Sequence, residues 1–454
     1  MKKDREFLKN VCNLAIPVAL QSMLQSSFSL VDQIMIGQLG STSIAGVGFA
    51  GKFSSIFSVV VSAIGAVAGI MISQYMGQKN GKEVRRSFFL NLFMGLCLAV
   101  IFTVMCLVFP GHIMGLYTKD SATRLAAANY LAIISGTFLP VAGATMLATL
   151  FRCMEKASLP LYASMAAALV NTGLNYVLIF GKFGFPAMGA KGVAVATVVA
   201  QLINFFIMFV LYFQCKKPFT EKDRNASQVA GFHWGQYAGI LLPLLVCEFM
   251  WSLGENIYAA IYGHMGTDAS AAMTLINPIQ GLMIGALCGL SQAASVIIGK
   301  KLGVGEYEDA YQASKKLLYY GFVGSAILSV IILVVSPFYV HIFQVEEQVK
   351  NLTKQILLAY ALVAPFKVEN MILGGGILRS GGKTNYVMAI DLIGTWVFGV
   401  PLGLLAAFVL KLSIPYVYFI LSLEECIRFL ISFVVLRRRK WMVTFTNQSL
   451  NKKM

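Results

Sequence analysis

Charge is what this chain of 454 residues lacks. Asp, Glu, Lys and Arg together make up 12% of it, about half of the ~25% typical of soluble domains. So few charged side chains cannot coat a water-soluble body of this size. A soluble enzyme, a secreted disulfide scaffold and a disordered tail are thereby excluded. Histidine is nearly missing: there are four, with no helical pairing among them, so no metal site built on histidine is expected. The eight cysteines (Cys12, Cys97, Cys106, Cys153, Cys215, Cys247, Cys288, Cys426) never occur as CxxC. They read as buried free thiols. A phosphate-binding loop is lacking too. Gly381-Gly382-Lys383-Thr384 has the end of one, but Ile377 stands where its first glycine is required. With no nucleotide motif and no soluble domain, ATP is not the energy source and no cofactor is expected.

What the chain does have is apolar length. Hydrophobic residues make up 57% of it, and a helix needs about 20 of them in a row to cross a bilayer. About twelve such runs occur, predicted at 11–39, 44–76, 87–110, 122–149, 158–181, 188–214, 237–263, 271–299, 314–337, 349–374, 384–410 and 413–436. The fold class is therefore an all-α integral membrane protein with about 12 transmembrane helices. The first run continues far past the length of a signal-peptide core and shows no cleavage pattern, so it reads as a membrane helix.

The net charge of +16 would suggest nucleic acid in a soluble protein; its distribution points elsewhere. With the N-terminus inside, the inner segments hold 26 Lys and Arg and the outer loops 7. That asymmetry is the positive-inside rule. It predicts a multi-pass membrane protein with both termini cytoplasmic, whose partner is the lipid bilayer and not nucleic acid; the membrane expected is a prokaryotic plasma (inner) membrane.

The longest polar interruption, Lys216 to Gly235, divides the runs six and six. Domains are accordingly expected at 1–215 (N-lobe, helices 1–6), 216–236 (cytoplasmic linker) and 237–454 (C-lobe, helices 7–12, with a basic tail). The halves echo each other. Gly37, Gly40, Ala45 and Gly77 return as Gly263, Gly266, Ala271 and Gly303, each 226 positions later. Arg152 to Lys156 and Arg379 to Lys383 lie 227 apart. Six is even, so both halves have one orientation: a parallel repeat of the kind found in secondary transporters.

From Pro17 to Trp441 the chain resembles the multidrug and toxic compound extrusion (MATE) family. The resemblance is carried by Val31-Asp32-Gln33-Ile34-Met35-Ile36-Gly37-Gln38-Leu39-Gly40 and by the stretch from Asn171-Thr172-Gly173-Leu174-Asn175 through Gly184-Phe185-Pro186 and Gly189-Ala190-Lys191-Gly192 to Ala196-Thr197. It implies two pseudo-symmetric six-helix bundles around a central cavity. It also implies cation-coupled export of amphipathic, often cationic compounds, with H⁺ or Na⁺ as the coupling ion, by a protein that is not an enzyme and works as a monomer.

Carboxylates within spans cost a few kcal/mol each, yet seven are predicted there: Asp32, Glu248, Glu255, Glu369, Asp391, Glu424 and Glu425. A carboxylate that gains and loses a proton is what proton coupling requires; a permanently paired packing residue is the alternative. Asn171 and Asn175 are four apart and share a helix face. The resemblance places Asp32 at the family's N-lobe protonation site, with Asn171, Asn175 and Thr197 as its polar surroundings. In the proton-coupled branch an acid stands where this chain has Asn175, which leaves Asp32 a single acid. Glu248 and Glu255, seven apart, share a stripe of helix 7, and Glu248 has a candidate counter-ion in Lys367. The resemblance pairs Glu255 with Glu369 of helix 10 as a cation site; two carboxylates suit either Na⁺ or a shared proton. Asp391 is a further candidate on helix 11. Glu424 and Arg428 have the spacing of an intrahelical ion pair. Pro17 removes a hydrogen bond inside helix 1, and the resemblance makes it that helix's hinge.

The function expected is a secondary antiporter that exports drugs or toxic metabolites. The alternative is a flippase of lipid-linked oligosaccharides from the same superfamily. A polyanionic cargo would want several cations in the cavity. Only Lys52, Lys367 and Arg428 are predicted in spans, which favours the cationic cargo.

Overall fold

The computed structural model describes residues 2–215, 234–341 and 346–444. Among them every regular element is helical. Twelve long helices follow one another: α1 Lys2–Ile36, α2 Ser41–Gly77, α3 Gly81–Val108, α4 Ser121–Cys153, α5 Ser158–Phe180, α6 Ala190–Gln214, α7 Trp234–His264, α8 Thr267–Val304, α9 Tyr307–His341, α10 Glu347–Leu378, α11 Thr384–Val409 and α12 Ile414–Arg438. Eleven are long and apolar enough to cross a bilayer. The exception is α12, whose centre carries Glu424, Glu425 and Arg428. These three are buried at 5%, 7% and 7% exposure, so the charge that spoils its composition is turned away from the surroundings. Large apolar side chains such as Phe93, Phe206, Val334 and Phe338 lie exposed instead, as a lipid-facing surface requires.

Helix ends follow local chemistry. Asn80 caps α3 by accepting from the Glu83 amide at 3.3 Å, and Asp120 caps α4 by accepting from the Thr123 amide at 2.8 Å; such caps satisfy amides that have no partner within the helix. Within α4, Ser135–Thr137 tighten into a 3₁₀ turn. Pro140, three positions past Thr137, has no N–H to offer the Gly136 carbonyl. In α10 and α11 the opposite happens: Met371–Leu378, Ile393–Gly399 and Leu405–Val409 widen into π turns, a distortion found often where helices carry function.

The chain forms two compact units, Leu20–Ala230 (the N-lobe) and Met1–Ala19 with Gly231–Met454 (the C-lobe). In the N-lobe α2 packs on α3 and α4, and α5 on α6. In the C-lobe α10 is central, against α8, α9 and α12, while α7 packs on α11. The division falls inside α1, two residues after Pro17. The part of α1 up to Ala19 therefore groups with the second set of helices. Lys316 of α9 holds Asp4 at 2.6 Å, the rings of Phe7 and Tyr320 lie 6.5 Å apart, and Ala15 lies so close to Gly289 of α8 that any side chain there would meet its backbone. Residues 216–233, nearly all of the expected linker, and the end of the basic tail from 445 lie outside the described residues.

The repeat seen in the sequence has a backbone meaning. Gly40 precedes α2 with φ +85° and Gly266 precedes α8 with φ +122°. Both turns need a conformation that side chains with a Cβ rarely adopt, so glycine recurs at the same register in each half.

Candidate functional site

In the N-lobe, Asp32, Asn171, Asn175 and Thr197 converge. Asn175 Nδ2 donates to Asp32 Oδ1 at 2.7 Å and to Asn171 Oδ1 at 3.3 Å. Asn171 Nδ2 donates to Thr197 Oγ1 at 3.4 Å, and the Thr197 hydroxyl is held by the Val193 carbonyl at 2.9 Å. Turning the Asn171 amide over brings its nitrogen 3.0 Å from Asp32 Oδ2; amide orientation follows from the surrounding donors and acceptors. Both asparagines can then serve one carboxylate. Asn175 is fully buried, and its Oδ1 has no hydrogen-bond partner among the described residues. Tyr130 of α4, also buried, lies within the electrostatic reach of Asp32. Sequence reasoning missed it, because a tyrosine in a span carries no distinguishing local pattern.

In the C-lobe two cavities lie back to back. One, of about 400 Å³, is bordered by Glu255 and Tyr258 of α7, Thr274 and Gln280 of α8, Lys367 of α10 and Tyr418 of α12. The other, of about 360 Å³, is bordered by Glu248 and Trp251 of α7, Ser291 of α8, Arg379 of α10 and Asp391 of α11. Lys367 and Glu425 border both. The wall between them is a polar network. Asn370 Nδ2 donates to the Glu425 carbonyl at 2.7 Å and to its carboxylate at 2.9 Å. The Tyr258 hydroxyl donates to Glu424 at 2.5 Å. Arg428 lies 3.6 Å from Glu424 and 3.8 Å from Asp391 and also donates to the Thr395 hydroxyl. Asp391 accepts from the Cys247 thiol at 2.6 Å. Of the eight free cysteines, Cys247 is thus tied into this network.

Glu248 and Glu255 do not share an environment. Glu248 is paired with Arg379 at 3.2 Å, not with Lys367 as the sequence suggested; Arg379, read from sequence as a loop residue, closes α10 and turns inward. Glu255 borders the larger cavity and has no hydrogen bond or ion pair among the described residues. Glu369 is not brought to Glu255. It borders neither cavity, is 3% exposed, and points at α9, where a Cβ on Gly321 would lie 2.7 Å from its Oε1. The reason is periodicity. Lys367 faces the cavities, and a residue two positions along a helix faces away. Its Oε1 has no hydrogen-bond partner among the described residues. The residues that do meet Glu255 across the larger cavity are Lys367 and, on α12, Glu424 and Glu425. The Glu424–Arg428 pair was visible in the spacing; its links to α7 and α11 were not. The signal that could have exposed this face was Lys367 and Asn370, three apart on α10.

A family model described as MatE matches residues 17–177 and 243–405. The chain belongs to the MATE family. It is 22% identical over 451 residues to the uncharacterized transporter YisQ of Bacillus subtilis, covering 97% of each chain. It is 23% identical to the probable multidrug resistance protein NorM of Thermotoga maritima, covering 88% of this chain and 85% of that one. Among solved structures, a MATE transporter in complex with MaL6 superposes with a TM-score of 0.86 at 17% identity, covering 95% of this chain and 96% of the other. VcmN, a MATE transporter of Vibrio cholerae, gives 0.87 at 16% identity, covering 97% and 100%. At such identities the match is one of fold: the MATE helical arrangement is shared from end to end.

Proposed function

We propose that this MATE protein is a secondary antiporter of a prokaryotic plasma membrane, exporting amphipathic, often cationic compounds in exchange for H⁺ or Na⁺, with Asp32 as its N-lobe coupling group. The observation that carries this reading is the 2.7 Å hydrogen bond from Asn175 to Asp32, together with the unpartnered Oδ1 of the same amide. An ionised carboxylate only accepts; a protonated one also donates. Amide nitrogens turned toward Asp32 match the ionised form. On protonation the Asp32 hydroxyl needs an acceptor, and Asn175 offers one by turning its oxygen inward. The change is local and has two discrete arrangements, which is what a coupling site needs. Asp32 sits on α1 fifteen residues beyond Pro17, in the same helix that the unit division crosses. Pro17 is the position at which we expect α1 to bend in response.

Relatives carrying the name multidrug resistance protein support drug export over the flippase alternative. The reading includes a monomer with both termini and the 216–236 linker cytoplasmic. The test is ethidium export by the purified protein in liposomes, with a proton gradient and a sodium gradient imposed separately. Export driven by one of the two gradients, and lost in Asp32→Asn, is the expected result. No export under either gradient overturns the reading.

A further inference from the structure

Four charged side chains border the larger C-lobe cavity: Glu255, Lys367, Glu424 and Glu425. Two of them are held in its wall, Glu424 by the Tyr258 hydroxyl at 2.5 Å and Glu425 by the Asn370 amide at 2.9 Å. The other two, one of each sign, have neither a hydrogen bond nor an ion pair among the described residues. Lys367 feels the field of Glu425, Glu255 and Glu424, yet its ammonium pairs directly with none of them. With no direct partner in place, the ammonium keeps its donors free for an acceptor that enters the cavity. We propose that this cavity is a binding site for zwitterionic amphiphiles: Lys367 receives the ligand's carboxylate and Glu255 its ammonium.

The rest of the lining fits such a ligand. Tyr258, Tyr262, Tyr360 and Tyr418 border the same cavity and offer ring faces to an apolar body and hydroxyls to its polar edges. Gln280 Nε2, also in the lining, holds the Tyr418 hydroxyl at 2.9 Å. The volume of about 400 Å³ lies in the range of pockets for drug-sized molecules. Counting charge along the sequence favoured a cationic cargo over a polyanionic one. In the folded lobe Glu248 is matched by Arg379, and Asp391 and Glu424 by Arg428, Glu425 is held by an amide and Glu369 is enclosed away from the cavity, so the groups that face the larger cavity without a direct partner are one acid and one base. That the occupant is a transported compound rests on the proposed export function; that it binds here does not.

The test is calorimetric titration of the full-length protein in detergent with three matched probes. They are the dipeptide Phe-Phe, its C-terminal amide (cation only) and its N-acetyl form (anion only). The zwitterion should bind about tenfold or more tighter than either relative. Lys367→Met should abolish its advantage over the amide, and Glu255→Gln its advantage over the N-acetyl form. Lys367→Arg keeps the charge and should retain the selectivity, which separates loss of a binding group from loss of fold. Equal binding of the three probes, absence of binding by all three, or both variants weakening all three alike would overturn the proposal. Because no gradient is involved, this outcome is independent of whether the protein exports ethidium.

Discussion

Arg379 holds Glu248 at 3.2 Å, and Arg152, 227 positions earlier, reaches Gln21 at 3.4 Å, also 227 positions before Glu248. Each arginine closes the fourth helix of its half and crosses to the first. The repeat has thus kept a contact while changing its chemistry, from a charge–amide hydrogen bond in the N-lobe to an ion pair in the C-lobe.

That difference sets the first prediction. Glu248→Gln leaves the part-buried Arg379 guanidinium without its counter-charge and should cost about 1–3 kcal/mol of C-lobe stability. Gln21→Glu gives Arg152 a carboxylate in exchange for the 2.8 Å bond from Gln21 to Ser164, and should not lower stability. Thermal unfolding of the purified variants in detergent reads both. A larger loss in Gln21→Glu than in Glu248→Gln would contradict the assignment.

The second concerns Asp32. Asn at this position fixes an uncharged, amide-like group against Asn175, so the two-state exchange is lost. Asp32→Asn should export at less than about a tenth of the wild-type rate, the loss expected when a coupling group is removed. Dye binding by the variant should become independent of pH. Unaltered pH dependence in Asp32→Asn, with loss of it in Glu255→Gln, would move the coupling group to the C-lobe.

The third separates two carboxylates that the resemblance to the MATE family had paired. Glu255 opens on the larger cavity; Glu369 is enclosed against α9. Glu255→Gln should reduce export several-fold, whereas Glu369→Gln should leave it close to wild type. Glu369→Met, which removes an unpartnered buried carboxyl, should be neutral or stabilising by about 1 kcal/mol. Severe loss of export in Glu369→Gln with normal membrane insertion would show that Glu369 acts during transport.

The fourth is topological. Single cysteines placed between 216 and 235, in a background without the eight native ones, should be protected from an impermeant maleimide in intact cells and react after permeabilisation. Ready labelling from outside would invert the inside–outside assignment drawn from the 26-to-7 distribution of Lys and Arg.

By itself the sequence determined everything that depends on local pattern. Twelve apolar runs at bilayer length became twelve helices, since in lipid a backbone must satisfy its own hydrogen bonds. Glycines at a fixed displacement became matching turns, because only glycine adopts their φ cheaply. The Asp32 cluster was legible as well: Asn171 and Asn175 share a face through the helical period, and the likeness to the MATE family supplied Asp32 and Thr197. Three things waited for the tertiary structure. Helix rotation decided that Lys367 faces the cavities and Glu369, two residues on, does not. Packing of α7, α10, α11 and α12 decided which acid meets which base, so Glu248 found Arg379, and Glu424 found Tyr258 as well as Arg428. The grouping of α1 up to Ala19 with the later helices was decided by contacts with α8 and α9 nearly three hundred positions away. Periodicity assigns a residue to a face of its own helix. Which neighbour that face meets is a property of packing between segments far apart in the chain, and no local pattern encodes it.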